Sequence, residues 1–428
     1  MTTQNPQIEI VTSHPGGTVI KSGDTTTSKA IEMVGSGTPY ALYVITDNGE
    51  MVASGEYNGS GRFINRFDNL QIREHLYELR ANASLPPTSV WKVYVAAAGG
   101  PLGPIPVSPT PYGICLSPDG NRAFVCGFNS VQVIDTTSST LIDQIPVPLK
   151  EVSWEMAISP DGARGYVCSA AGALTVIDLV NSRYITDIPL QSLLIGIVLS
   201  ADGAKAFVTT WGGNTVVVVD TASLQAIKTI AVGRNPRGID ISPDGTQIYV
   251  ANWNNGGFDG SISVIDIRTL AVTKTFALRI PAYGVAVTPD GRSLYVCGAD
   301  GTQGAVVQID ANSGQLLRDI PVLGNPRGVI VNHGGTQVLC CNESPQMVSV
   351  IDTASGTVSK LIPVGKSPLE IKISADDSRA FVVCANDPSV FVISLLPGAS
   401  GIDASDLQAS GILNASPQPR TPLPGDAY

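Results

Sequence analysis

Seven copies of one short turn run through this 428-residue chain, and the residues just ahead of them carry its most chemical side chains. Five residues before each turn the chain reads Tyr112, Trp154, Ile195, Arg237, Tyr283, Arg327 and Leu369. The next position reads Gly113, Glu155, Gly196, Gly238, Gly284, Gly328 and Glu370. Two arginines at equivalent positions can clamp a carboxylate through forked hydrogen bonds. Two glutamates at the neighbouring position can take a proton or an amine, provided their surroundings shift them toward neutrality. A second set of candidates is aromatic. Phe128, Trp211 and Trp253 fall in loops beyond the turns, and rings held in loops suit sugar stacking or protein contact.

Other chemistry is missing. The three histidines are His14, His75 and His333, and only His333 falls among the repeats, where it replaces a turn proline and is expected to be exposed. A histidine base or a His-ligated metal at the repeats' centre is therefore not expected. Four cysteines, Cys126, Cys168, Cys297 and Cys341, share one strand position with Thr209, Ala251 and Val383, which reads as packing. They are expected not to converge, and Cys340-Cys341 to point one inward and one outward. A Val-Ile-Asp ending recurs, and its aspartates (Asp178, Asp266, Asp352 among them) are expected to accept backbone N–H bonds in a turn. The long loops at 252–260 and 298–304 are rich in oxygen and glycine, as Ca²⁺ prefers, but lack EF-hand spacing, so no metal or cofactor is assigned.

The elements that position these residues follow from the repeat itself. Ser117-Pro118-Asp119-Gly120 recurs as Ser159, Ser200, Ser242 and Thr288 units, then in degenerate form from Asn332 and Ser374, at spacings of 42, 41, 42, 46, 44 and 42. Proline fixes φ at the second turn position, and glycine accepts positive φ at the fourth. Short β-branched runs flank every turn, four per unit, such as Ile239-Asp240-Ile241 and Ile248-Tyr249-Val250-Ala251. Four strands per unit of this length is one propeller blade. The seventh unit ends after Phe391-Val392-Ile393-Ser394, lacking a fourth strand, and a matching Ile105-Pro106-Val107 precedes the first unit. That segment is expected to complete the last blade and close a ring of seven. First strands line the channel of such a ring, so the positions above should form one mouth. Glu155 and Glu370 flank Tyr112, and Arg237 and Arg327 flank Tyr283, which predicts an acidic and a basic side.

The runs Phe207-Val208-Thr209, Tyr249-Val250-Ala251-Asn252 and Tyr295-Val296-Cys297 resemble the YVTN-type β-propeller repeat family over about residues 103–396. That resemblance implies an all-β, seven-bladed propeller. It also brings surface-layer-like proteins and distant lactonase-like enzymes into view. Residues 1–98 carry no repeat. Their strand-like runs and the Asp47-Asn48-Gly49 hairpin signal predict a small sandwich, similar to bacterial Ig-like modules. The division expected is 1–98 sandwich, 99–396 propeller and 397–428 a Pro/Ser/Gly-rich tail.

Composition narrows the function classes. Net charge is −10, from 26 basic and 36 acidic residues, so nothing offers the positive field a nucleic acid needs. No long apolar run suggests a membrane span, and the first residues lack the pattern of a Sec signal. Location reads as cytoplasmic by default, or cell surface by another route. The leading expectation is a recognition or adhesion protein binding a glycan, peptide or partner protein on the loop-bearing face. Tyr112, Trp154, Arg237, Tyr283, Arg327, Phe128, Trp211 and Trp253 are the candidate contacts. The alternatives are a lactonase-like or other hydrolase using Glu155 and Glu370, and a self-assembling, homo-oligomeric surface protein.

Overall fold

A computed structural model describes residues 103–148, 153–254, 259–299 and 303–395, together with the backbone of strands within 7–95 and of Ile402–Asp403. The chain divides into two compact units, one of them built mainly from Met1–Gly103. In that unit one sheet has four strands and another has five. The expected hairpin is present, with Leu42–Asp47 paired to Glu50–Glu56.

The other unit is a seven-bladed β-propeller. Each blade is a four-stranded antiparallel meander. Blade 1, for example, runs Ile114–Leu116, Arg122–Cys126, Ser130–Asp135 and Thr140–Pro146 in spatial order. The last blade takes its outer strand, Gly103–Pro106, from ahead of the first, pairing it beside Ser389–Ser394. Closure by the two ends of the ring is therefore as the sequence predicts. Blade 6 gains a fifth strand, Ile402–Asp403, on its outer edge at Thr357–Pro363. Leu361 of that edge is buried, whereas Gln144, Asp187, Thr229, Thr275 and Asp319 stand at the matching place in other blades.

The recurring turn explains the register. In six of the blades the first residue's hydroxyl donates to the third residue's carboxylate, as Ser117 does to Asp119 at 2.5 Å and Thr288 to Asp290 at 2.6 Å. The glycines sit at φ of 68–72°, a region costly for any residue with a Cβ. The Val-Ile-Asp aspartates also do what was expected. Asp178 accepts from the N–H of Asn181 at 3.0 Å, and Asp266 and Asp352 each accept from a residue three further on, at 2.7 Å.

Second and third strands are buried on both faces, because each blade packs against two neighbours. Cys340 and Cys341 are therefore both fully buried, though only Cys340 joins the apolar cluster that also holds Cys297 of the preceding blade. All seven cysteines are free thiols.

Candidate functional site

First strands line the ring, and in five blades each departs from its partner just where the candidate residues lie. The register shifts between Ser153 and Met156, Leu194 and Ile197, Pro236 and Ile239, Pro326 and Val329, and Pro368 and Glu370. An irregularity of this kind loosens the ladder and re-aims side chains. In those five blades it falls at the residues ahead of the turn, several of which line the channel mouth.

The glycines of the neighbouring position have a steric reason. A Cβ on Gly113 would collide with the carbonyl oxygen of Trp154, and one on Gly328 would stand 2.7 Å from that of Leu369. The next blade's backbone comes that close because the first strands converge on the channel. Hydrogen bonds between blades use the same approach. Thr209 Oγ1 accepts from the N–H of Gly196 at 2.8 Å and donates to the carbonyl of Arg237 at 2.9 Å. Cys297 Sγ donates to the carbonyl of Arg327 at 2.9 Å, and Cys168 Sγ to that of Gly196 at 3.8 Å. The shared Cys/Thr position therefore does more than fill space: in three blades it ties a strand to the next blade's mouth residue.

The result is a cavity of about 460 Å³ at the mouth, lined by Tyr112, Trp154, Glu155, Arg237, Tyr283, Arg327 and Glu370, with Ile195 and Leu369. On one wall Arg237 lies within cation–π range of three rings, at 5.0 Å from Tyr283, 5.2 Å from Trp211 and 5.9 Å from Trp154. Burial, aided by the nearby charge of Arg327, lowers its pKa to about 10, so it stays charged at neutral pH. Arg327 sits 4.6 Å from Tyr283 and is held by Glu343, whose Oε2 accepts from Nε at 2.7 Å and from Nη2 at 2.6 Å.

On the other wall Lys372 donates to Glu370 at 2.8 Å and lies 3.9 Å from Glu155. Burial and the charge of Glu370 push Glu155 up to about 8, against the pull of Lys372 and of the Ile197 N–H that it accepts at 3.2 Å. Burial disfavours the Lys372 charge, but Glu370 and Glu155 outweigh it and hold the ammonium firmly protonated. Asp240, raised by burial to about 6, accepts N–H bonds from Val287 and Ile241 at 2.8 Å.

Three of these residues, Lys372, Asp240 and Glu343, escaped the sequence reading. Lys372 and Asp240 stand at one repeat position, three residues inward from the mouth, where Cys115, Ala157, Val198, Ala286 and Ile330 stand in other blades. Glu343 occupies the loop position held by Phe128, Trp211 and Trp253 elsewhere. Reading those two positions around the ring would have found all three. They also correct the expected polarity. Each side carries its own counter-ion, Lys372 among the acids and Glu343 on Arg327, so the acidic and basic halves are largely neutralised.

The aromatic candidates separate into groups. Tyr112 and Trp154 form a tilted pair 4.8 Å apart on the cavity wall. Trp211 and Trp253 stack on each other at 5.2 Å, and Trp253 reaches Tyr283 at 5.9 Å. They back the Arg237 wall and are half-buried, without lining the cavity. Phe128 stands apart, 48% exposed. Rim and channel candidates are thus joined through Arg237. His333 is exposed and bonded through Nδ1 to Asp377 at 2.7 Å. Parts of the two long loops, 255–258 and 300–302, lie outside the described residues, among which no cluster of three or more potential metal-ligating His, Cys, Asp or Glu occurs. No helix among the described residues is long and apolar enough to cross a membrane.

Fold and cavity together define a seven-bladed propeller with a ligand-sized pocket at one channel mouth. A chain of Kuenenia stuttgartiensis hydrazine synthase is similar in structure, with a TM-score of 0.63 and 23% identity, over 67% of this chain and 96% of that one. At that identity the likeness concerns the propeller alone. No protein-family model matches the chain, and no curated protein matches it.

Proposed function

We propose that this protein is a recognition propeller that binds a small organic ligand, or the end of a glycan or peptide, at its channel mouth. The observation that supports this most is the convergence of a charged, half-buried Arg237 and the rings of Tyr112, Trp154 and Tyr283 on one cavity of about 460 Å³. In this reading the repeat is of YVTN type, residues 1–98 form an Ig-like module that presents the propeller, and 397–428 is a tail. A thermal-shift screen of glycans, sugar acids, amino acids and short peptides tests it, run in parallel on wild type and Tyr283→Ala. Hits that stabilise the wild type and not the variant support the mouth. Hits shared equally by both place recognition elsewhere.

One observation favours a hydrolase as the second reading. Glu155 holds a proton near neutral pH, as a general acid must, and it lines the same cavity as the Arg237 guanidinium. Under that reading any turnover found is lost in Glu155→Gln, and retained turnover removes the role.

A further inference from the structure

The charges around the cavity narrow the ligand's chemistry, an inference that rests on the mouth being a binding site. Three cations face it. Glu343 holds Arg327, and Glu370 holds Lys372, each at hydrogen-bond distance. Arg237 differs. Among the described residues no acid pairs with it and no oxygen accepts from its guanidinium, which lies instead against three ring faces. The Nε1–H of Trp154, on the same wall, is also buried without an acceptor. A guanidinium offers five donors in a flat fork, and those of Arg237, half-buried at the cavity, meet no protein acceptor among the described residues. A ligand carboxylate entering the cavity supplies acceptors and a counter-charge that the protein does not.

We propose that the channel mouth is a site for a monocarboxylate, a small organic acid whose single carboxylate is received by Arg237. The carboxylate's two oxygens match the guanidinium fork, and the rings of Trp154 and Tyr283 flank a flat body. The count of one follows from the pairing. A second carboxylate on the same ligand meets Arg327 already neutralised by Glu343, or Lys372 already neutralised by Glu370. The carboxyl of Glu155, which lines the same cavity, offers a donor to a hydroxyl or carbonyl oxygen of the ligand. A phosphate monoester carries close to two charges into a place with one cation to spare.

The test is calorimetric titration of the whole protein with five probes: benzoate, gluconate, benzamide, phthalate and phenyl phosphate. At least one monocarboxylate is expected to bind, with benzamide at least about tenfold weaker than benzoate if benzoate is the binder, and with binding lost in Arg237→Met. Phthalate and phenyl phosphate are expected to bind more weakly than the monocarboxylate. Glu343→Gln, which frees Arg327, is expected to raise phthalate affinity about tenfold or more while changing the monocarboxylate little. Neither acid binding at ~10 mM overturns the proposal, since that is weaker than any useful carboxylate clamp. Benzamide equal to benzoate, both lost in Tyr283→Ala, overturns the carboxylate class and leaves the mouth as a site. No gain for phthalate in Glu343→Gln overturns the charge count. Binding untouched by every mouth variant removes the site itself.

Discussion

Replacing Arg237 by Met is expected to make the ligand-free protein more stable while removing its ligand. Burial above all lowers the guanidinium's pKa from its ordinary value to about 10. At 1.36 kcal/mol per pH unit that drop is worth about 3 kcal/mol of disfavoured charge. Three ring contacts return part of it, at ~0.5–1 kcal/mol each. The net gain on removing the charge is therefore about 1 kcal/mol, because Met keeps an unbranched stem and a sulfur that suits the faces of Trp154, Trp211 and Tyr283. For a chain of this length such a gain raises Tm by about 1–2 °C. Scanning calorimetry of the two ligand-free proteins at pH 7 measures it. The pH dependence has a defined sign. A base with a depressed folded pKa binds fewer protons when native, so wild-type stability recovers relative to the variant as pH rises above about 10 toward the ordinary guanidinium range. A variant less stable than wild type by ~1 kcal/mol or more refutes the reasoning, since it would mean that Arg237 has a strong partner at rest.

Two further outcomes follow from the same geometry. Glu155 has a folded pKa raised from 4.5 to about 8, so the native state binds the extra proton between those values. Wild-type stability should fall as pH climbs through that window, by a few kcal/mol at most with its side chain about a fifth exposed, and Glu155→Gln should flatten the fall; parallel denaturation curves from pH 5 to 8 would show an unchanged slope if burial does not govern this carboxyl. Thr209→Val removes the group that bonds both Gly196 and Arg237, which should cost about 2 kcal/mol in urea unfolding at ~1 kcal/mol per bond, whereas Thr209→Cys should cost less than half as much because the thiol still donates; equal losses in the two variants would assign the position to packing alone.

The sequence by itself determined the ring. A turn that recurs every forty-odd residues, with hydroxyl, proline, carboxylate and glycine in fixed order, sets a hairpin locally, and local hydrogen bonds need no tertiary partner. Seven such hairpins with apolar flanks can bury both faces only by stacking, and the strand missing at one end but present at the other specifies closure. The mouth was legible for the same reason: equivalent positions in a closed repeat share a radius, so Tyr112, Trp154, Glu155, Arg237, Tyr283, Arg327 and Glu370 had to meet. The tertiary structure decided how their charges are spent. Glu343 reaches Arg327 from a loop sixteen residues away, and Lys372 settles beside Glu370 with Glu155 in range across two blades. Pairing of buried charges depends on separations of a few ångströms between blades, and a one-dimensional pattern does not carry those distances. That is why the sequence predicts an acidic side and a basic side, while the folded protein leaves one arginine, Arg237, facing the cavity against ring faces, with no acid paired to it among the described residues.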